Sequence, residues 1–458
     1  MVKIMPRSLP RALTIAGSDS GGGAGIEADI KTFSSLGVHG MVAITAVTAQ
    51  NTTGVSMIRE MPVDLIRAQI EAVVKDIGVD VAKTGMLYSS SIIEEVSGLA
   101  RAYGLRLVVD PVMITKSGAA LLMPDARATL VSTLIPLAEV VTPNIDEAEV
   151  LTGIRISSVA DSVAAGRKIL EMGAKAAVVK GGHLLGPPVD VLCQRGREPK
   201  EFEGTRVNTS TTHGTGCTFS AALTAYLAKG LAMEDAVRGA KEFVTAAITF
   251  GLPLGKGAGP VEPMSQLRMD AERWRVFSNM KDAVSLIEST DGLARLCPEC
   301  QVNIVMSLPT PYAIDENSVC GIPGRLHVIG GRLRASACPA FGASHHVARA
   351  LLMAMNHGDN VRASMNIRCS KEVLAAARRL GLTVGTYDRN KEPPEVKEVE
   401  GASIPWGVAE AISRAGSVPD MIYHSGDIGK EPMINIFGRD AVEVAVKAIR
   451  VSRLLETA

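Results

Sequence analysis

The residues Thr212-His213-Gly214-Thr215-Gly216-Cys217-Thr218-Phe219-Ser220 lead into the small-residue run Ser220-Ala221-Ala222-Leu223-Thr224-Ala225-Tyr226. The glycines let the backbone turn tightly, so several N–H groups can point at one spot. The helix predicted for the following residues adds the positive end of its dipole there, which makes an anion site without a lysine. A cysteine at a helix start has its thiolate favoured, so Cys217 is expected below the ordinary thiol value of about 8.5. An anion cradle with a base at its lip suits phosphoryl transfer: Gly214, Thr215 and Gly216 hold the transferring group, and Cys217 accepts or orients a hydroxyl proton. The same residues also read as a glycine turn before a core helix with a buried thiol.

The elements that must position this loop follow from the hydrophobic pattern. Strands are predicted at 12–16, 41–45, 81–84, 107–110, 140–142 and 176–180, separated by helices such as 26–36, 63–76 and 89–103. A further amphipathic helix is predicted at 233–250. Strand–helix alternation implies an α/β fold, a doubly wound parallel sheet with helices on both faces. Ligands bind beyond the carboxyl ends of such strands. Polar residues gather there in phase: Asp19 with its glycine run, Gln50 and Asn51, Met86, Asp110, Asn144 with Glu147, and Lys180-Gly181-Gly182-His183. Asn144 and Glu147 stand one helical turn apart, which suits a hydrated Mg2+ on nucleotide phosphates or, equally, a helix cap with an acidic first turn. No P-loop spacing is present, and the glycines of 17–25 miss the dinucleotide-binding spacing.

With 458 residues, two domains are expected, or three. A Pro- and Gly-rich stretch over 253–263 ends the first domain (1–262), a helix is predicted over 262–288, and 270–458 forms a second. There the alternation is less regular, with strands at 303–307, 325–328, 363–367, 382–386, 421–423 and 433–437 and helices at 344–355, 372–380 and 441–455. Lysine plus arginine and aspartate plus glutamate number 48 each, so no global charge favours nucleic acid or an anionic membrane. No apolar run approaches a membrane span, and 12–16 is too short for a signal-peptide core. Seven cysteines in this length argue for reduced thiols and a cytoplasmic protein. Cys297-Pro298-Glu299-Cys300 lacks a second pair at zinc-site distance, so no metal-ligand cluster is expected.

Over residues 11–262 the chain resembles the hydroxymethylpyrimidine/phosphomethylpyrimidine kinases. The resemblance is carried by the stretch from Ala12 through Gly17-Ser18-Asp19-Ser20-Gly21-Gly22-Gly23-Ala24-Gly25 to Ile26, and by Thr48-Ala49-Gln50-Asn51. Lys83-Thr84-Gly85-Met86-Leu87, Val109-Asp110-Pro111-Val112-Met113, Thr142-Pro143-Asn144, Val179-Lys180-Gly181-Gly182-His183 and the 213–217 loop follow in family order. It implies a ribokinase-like fold, ATP with Mg2+, and phosphorylation of 4-amino-5-hydroxymethyl-2-methylpyrimidine and of its monophosphate. Gln50 would then bind the pyrimidine, its amide pairing with a ring nitrogen and the exocyclic amine, with Asp29, Gly17 and Met86 beside it. Lys180, Asn144, Glu147 and Asp110 would address the ATP phosphates and Mg2+. Many relatives in the superfamily carry aspartate at the Cys217 position; the pyrimidine kinases carry cysteine. Lys116-Ser117-Gly118 is expected in a loop that closes over this site.

Residues 275–455 resemble a second family, the archaeal-type thiamine-phosphate synthase domain. The matching stretches are Ile322-Pro323-Gly324-Arg325-Leu326, Phe341-Gly342-Ala343-Ser344-His345-His346, Ser364-Met365-Asn366-Ile367-Arg368, Asp388-Arg389, Gly401-Ala402-Ser403 and the run Tyr423 to Met433. That family's functional arginine and histidine best match Arg325 and His346, with Arg332, Arg334 and His345 as neighbours. Lys430 is a phosphate candidate or an exposed turn lysine. Together the resemblances imply a bifunctional enzyme of thiamine biosynthesis acting on small molecules, hydroxymethylpyrimidine and thiazole phosphate, and a homo-oligomer, a dimer, is expected. The alternatives are a second half that only senses thiamine phosphates, or a first half that phosphorylates pyridoxal.

Overall fold

The computed structural model describes residues 9–456 except 115–117, 119, 183, 185, 359 and 428–429. Lys116 and Ser117 of the expected closing loop, and His183, lie outside the described residues. The chain divides into two compact units, one ending at Leu267 and the other beginning at Arg268.

The first unit runs β1 (Arg11–Asp19), α1 (Gly25–Ser35), β2 (His39–Asn51), β3 (Gly54–Glu60), α2 (Val63–Asp76), β4 (Val81–Thr84), α3 (Ser90–Tyr103) and β5 (Leu107–Val109). It continues through α4 (Ala126–Thr129), β6 (Ala138–Val141), α5 (Ile145–Thr152), α6 (Val159–Glu171), β7 (Ala176–Val179), β8 (Val189–Gln194), β9 (Lys200–Glu203), α7 (Thr215–Ala228) and α8 (Met233–Thr249). The sheet has nine strands in the order β3-β2-β1-β4-β5-β6-β7-β8-β9. β2 through β7 pair in parallel, as the alternation predicts, while β3, β8 and β9 add antiparallel edges. These three strands were not predicted.

The two-residue period of the parallel strands feeds both faces. Ala82, Leu107, Val109 and Ala177 pack with Ile66, Ile70, Ile92 and Ile93 of α2 and α3. Their neighbours Val81, Val108, Val140 and Val178 pack with Phe219, Ala222 and Leu223 of α7 and Ala236 and Val237 of α8. Because α7 also touches α1, nearly all its side chains are buried, and its run of alanines allows the close approach. That is why α7 lacks the amphipathic stripe so clear in α8.

A charged pair sits inside this core. Lys83 and Asp29 are fully buried, with Lys83 Nζ 2.8 Å from both Asp29 oxygens and Thr14 Oγ1 donating to Asp29 at 2.6 Å. Burial alone would neutralise each group, pulling Lys83 down and Asp29 up. For Lys83 the Asp29 and Asp110 carboxylates outweigh burial and raise its pKa. Burial still drives Asp29 upward; the bidentate contact with the retained ammonium decides for an ion pair. Asp29 is therefore a structural counter-ion, and the expectation that it meets substrate is corrected: both its oxygens are already engaged beneath the site.

The second unit contains α9 (Ser265–Ser289), which begins just before the division, then β10 (Ile304–Ser307), β11 (Val319–Gly321), β12 (Leu326–Ile329), β13 (Arg332–Ala335) and β14 (Ala340–Phe341). It closes with α10 (His346–Met355), β15 (Ala363–Arg368), α11 (Lys371–Arg379), β16 (Val384–Thr386), α12 (Pro394–Lys397), α13 (Ser403–Ala415), β17 (Met421–His424), β18 (Met433–Gly438) and α14 (Ala441–Glu456). Seven strands form a sheet in the order β14-β11-β10-β15-β18-β17-β16, and β12 and β13 form a separate hairpin. Among the described residues, only β16 and β17 pair in parallel here; the other pairs are antiparallel. Val347, Ala348 and Leu351 of α10 and Val408, Ala411 and Ile412 of α13 pack on Val305, Ile422 and Phe437 of this sheet.

Replacing Lys83 by Met leaves a buried carboxylate without its cation, a change that costs about 3–5 kcal/mol. In Lys83→Met, amide hydrogen exchange of β1 and β4 should accelerate by about 100-fold or more, and adding Asp29→Asn should restore part of the protection. Unchanged exchange in Lys83→Met would remove the pair from the account of this core.

Candidate active sites

The residues past the carboxyl ends of the parallel strands converge on a cavity of about 170 Å³ in the first unit. Gly17, Gln50, Met86, Asp110, Asn144, Glu147, Lys180 and residues 214–217 all line it. The parallel register of β1 and β2 slips between Ala16 and Ser18, at Gly17, where a β-carbon would stand 3.0 Å from Met86 Sδ.

Gly214 is the residue before α7, at φ +81°, and a β-carbon there would stand 1.8 Å from the Gly23 carbonyl oxygen. Only glycine lets the two loops meet in this way. A β-carbon on Gly216 would lie 3.4 Å from Lys180 Nζ and 3.9 Å from Asp110 Oδ2, so the start of α7 sits over that pair. Lys180 Nζ donates to Asp110 Oδ1 at 3.1 Å, and the hydroxyls of Thr142 and Ser220 also donate to Asp110, each at 3.1 Å. Burial opposes ionisation of Asp110, but the charges of Lys180 and Lys83 outweigh it and hold the carboxyl below its usual range. Burial likewise opposes charge on Lys180, and Asp110 and Glu147 raise it instead.

Asn144 and Glu147 form a capping box at the start of α5, with reciprocal backbone contacts of 2.8 Å each way. They line the cavity at the same time, so the cap positions the carboxyl rather than competing with a ligand role. Burial pushes Glu147 up, with Lys180 lowering it and Asp110 raising it, to about 7.

Cys217 corrects the expectation of a favoured thiolate. Burial is the largest influence; Lys83 lowers the thiol pKa, Asp29 and Asp110 raise it, and the result is about 11. The dipole at a helix start is equivalent to roughly half a charge, too little against desolvation and two nearby carboxylates. Cys217 is a thiol at neutral pH.

Two residues escaped the sequence reading as site residues. Asp19 takes backbone N–H bonds from Gly21, Gly23 and Ala24 at 2.8, 3.1 and 2.9 Å, and so shapes the glycine loop. His213 Nε2 stands 2.9 Å from Asp19 Oδ2 and 3.3 Å from the Gln50 amide. Burial pulls Asp19 upward, but the His213 and backbone bonds hold it below its usual range. An ionised Asp19 places the proton on His213 Nε2, which donates to it, while Gln50 Oε1 accepts from Thr48 Oγ1 at 3.2 Å. The signals were present in the sequence: Asp19 opens the glycine run, and His213 opens the 213–217 loop.

The second unit holds a cavity of about 830 Å³. Arg325, His346 and Lys430 line it and are exposed. Arg325 has φ +72° and its guanidinium bonds the Cys300 carbonyl. His346 is the first residue of α10; partial desolvation of its ring, despite the residue's exposure, and the charges of Arg325 and Arg349 lower its pKa, which favours neutral imidazole. His345 lines the cavity too, with its Nδ1 engaged by Glu316, which it shares with Arg349. Arg332 and Arg334 pair with Asp291 and Glu288 at 2.8 and 3.8 Å and do not line the cavity. Cys300 lines it, while Glu431 accepts the backbone N–H groups of Glu299 and Cys300 at 2.9 and 2.7 Å. Among the described residues, no three His, Cys, Asp or Glu side chains are grouped to hold a metal, and no helix is long and apolar enough to cross a membrane.

A doubly wound sheet whose strand ends face a glycine-bounded helix start over a Lys–Asp pair defines a kinase of the ribokinase-like class. Residues 19–262 match the family model for phosphomethylpyrimidine kinase, and the chain belongs to that family. Residues 279–450 match the model for thiamine-phosphate synthase ThiN. The Streptomyces coelicolor hydroxymethylpyrimidine/phosphomethylpyrimidine kinase is 49% identical over 257 residues, 56% of this chain and 95% of that one. The thiamine biosynthesis bifunctional protein ThiED of Geobacter sulfurreducens is 49% identical over 251 residues, 54% of this chain and 51% of that protein. Among solved structures, the ADP complex of Bacillus subtilis pyridoxal kinase aligns with a TM-score of 0.54 at 42% identity, covering 57% of this chain and 99% of that one. The chain is thus an enzyme of thiamine biosynthesis, a kinase joined to a thiamine-phosphate synthase domain.

With Glu147 near 7, its carboxyl is neutral below that pH and ionised above it. If the ionised form assists ATP binding, kcat/KM for ATP should rise as pH passes through about 7, and Glu147→Gln should flatten this rise. The same limb persisting in Glu147→Gln would assign the titration to another group.

Proposed function

We propose that the first unit transfers the γ-phosphoryl group of ATP to the hydroxyl of 4-amino-5-hydroxymethyl-2-methylpyrimidine and then to the resulting monophosphate. The observation that carries this reading is the start of α7 held over the Lys180–Asp110 pair, at the strand ends where Gln50 also lies. The backbone N–H groups of 214–216 meet the phosphoryl oxygens as charge spreads over them, and Lys180 steadies the ATP phosphates. Gln50, whose amide oxygen accepts from Thr48 Oγ1, offers an N–H to a ring nitrogen and its remaining oxygen lone pair to an exocyclic amine. Cys217 enters as a thiol that orients the hydroxyl, and the hydroxyl proton passes to a phosphoryl oxygen as the new O–P bond forms. Gly17 and Met86 bound the ring. The donor set fits magnesium arriving with the nucleotide: Asp110 and Glu147 offer oxygen, the latter through water. When bound, the ion offsets phosphate charge.

The second unit condenses the diphosphate with 4-methyl-5-(2-phosphoethyl)thiazole. The thiazole nitrogen forms a C–N bond to the pyrimidine methylene carbon, and the C–O bond breaks with its electrons leaving on pyrophosphate. Arg325 and His346 face that leaving group, Arg325 with a planar fork and His346 as a neutral donor, with Lys430 at the same rim. On this reading the kinase domain is 1–262 and the synthase domain 270–458, the seven unpaired cysteines fit a reducing cytoplasm, and the chain forms a homodimer. Likeness to pyridoxal kinases favours one further reading, phosphorylation of pyridoxal; a higher kcat/KM on pyridoxal than on the pyrimidine alcohol would select it.

Two variants test the division of labour. Cys217→Ala should slow pyrimidine phosphorylation by about 10-fold or more and leave ATP affinity and condensation of supplied diphosphate intact. His346→Ala should stop thiamine phosphate formation while phosphorylation continues. Loss of both activities in either variant contradicts separate sites.

A further inference from the structure

The cavity of the second unit has a buried end that the reading above leaves unused. Arg389 and His424 line it but are only 6% and 7% exposed, unlike Arg325, His346 and Lys430. Among the described residues, Arg389 Nε has no hydrogen-bond partner, and the carboxylate paired with its guanidinium, Glu392, stands 3.9 Å away. Glu392 is itself buried with one oxygen unpartnered, so this pair is too loose to satisfy either side. A buried guanidinium left short of acceptors is costly, several kcal/mol unless an anion completes it.

His424 supplies a matching donor. Its Nδ1 accepts the Gly426 N–H at 3.1 Å, and its ring lies 5.3 Å from that of Tyr387, so the remaining proton sits on Nε2. Burial, with the charges of Arg389 and Lys430, pushes its pKa down to about 4, so the ring stays neutral and donates without adding charge. The cavity thus has an exposed rim where Arg325, Lys397 and Lys430 stand with Glu299, Glu400 and the half-buried Glu431, and a buried end with one fixed cation and one neutral donor.

We propose that Arg389 and His424 form a phosphate-monoester site, distinct from the rim, that takes the phosphate which the thiazole substrate keeps through condensation. This rests on the condensation assigned above. The chemistry separates the two ends: pyrophosphate must depart in each turnover and suits the exposed rim, whereas the monoester is carried unchanged into product and suits the buried end. One guanidinium and one N–H match the three terminal oxygens of a single phosphate better than a diphosphate.

The test uses the full chain, with each condensation substrate varied separately. Arg389→Gln paired with Glu392→Gln, so that no buried carboxylate is left uncompensated, should raise KM for the thiazole phosphate by about 10-fold or more. KM for the pyrimidine diphosphate should stay within about 3-fold, a change under about 0.7 kcal/mol. A rise confined to the diphosphate, or no rise in either, overturns the assignment. Protection of β16 and β17 amides against hydrogen exchange reports whether the variant is folded; if it is not, Arg389→Lys, which keeps the charge, is read for the same KM split. Should the wild-type chain make no thiamine phosphate, the condensation reading fails but the site is still tested by calorimetry. Wild type should bind thiamine phosphate more tightly than thiamine, and the double variant should lose that preference; equal binding of the two by wild type refutes the site.

Discussion

A β-carbon at Gly214 would stand 1.8 Å from the carbonyl oxygen of Gly23, so the loop before α7 and the loop after β1 can touch only as bare backbone. That contact brings the start of α7 over the carboxyl ends of β5 and β7, where Asp110 and Lys180 lie. The alanines of α7 serve the same end by letting the helix settle between α1 and the sheet. Asp19 completes the arrangement by binding three backbone N–H groups of the glycine loop, which fixes the surface that Gly214 approaches.

Once the helix start is so placed, the charges buried beneath it must be balanced by one another. The structure does this with alternating signs: Asp29 pairs with Lys83, Lys83 acts on Asp110, Asp110 pairs with Lys180, and Lys180 acts on Glu147. Each member offsets the desolvation of the next, which is why Asp110 stays ionised while Glu147, at the end of the series, is left near 7. Desolvation, with one cation and two anions of that series close by, suppresses ionisation of Cys217 rather than favouring it. A site built to hold phosphates thus gets its cationic character from Lys180 and backbone N–H groups, and the cysteine contributes shape and orientation.

Much of the first unit was legible in the sequence because parallel strands buried on both faces are short apolar runs, and the polar residues after them keep phase with the strand ends. The edge strands were not: β3 carries exposed Ser56, Met57, Arg59 and Glu60, and β9 reads Lys200-Glu201-Phe202-Glu203, patterns indistinguishable from loop. Asp29 lies on a helix whose sequence does not say which strand it faces, so its pairing with Lys83, 54 positions on, needed coordinates. Spacing placed Cys217 at a helix start but carried no information on burial, and burial decided its chemistry. In the second unit the mostly antiparallel sheet blurred the strand–helix alternation, and Arg389 drew notice only within a family motif.

The two units assign successive steps to one chain, and the most direct measurement is the complete reaction. Purified chain supplied with ATP, Mg2+, 4-amino-5-hydroxymethyl-2-methylpyrimidine and 4-methyl-5-(2-phosphoethyl)thiazole should form thiamine phosphate and release pyrophosphate. Accumulation of pyrimidine diphosphate without thiamine phosphate would contradict the account.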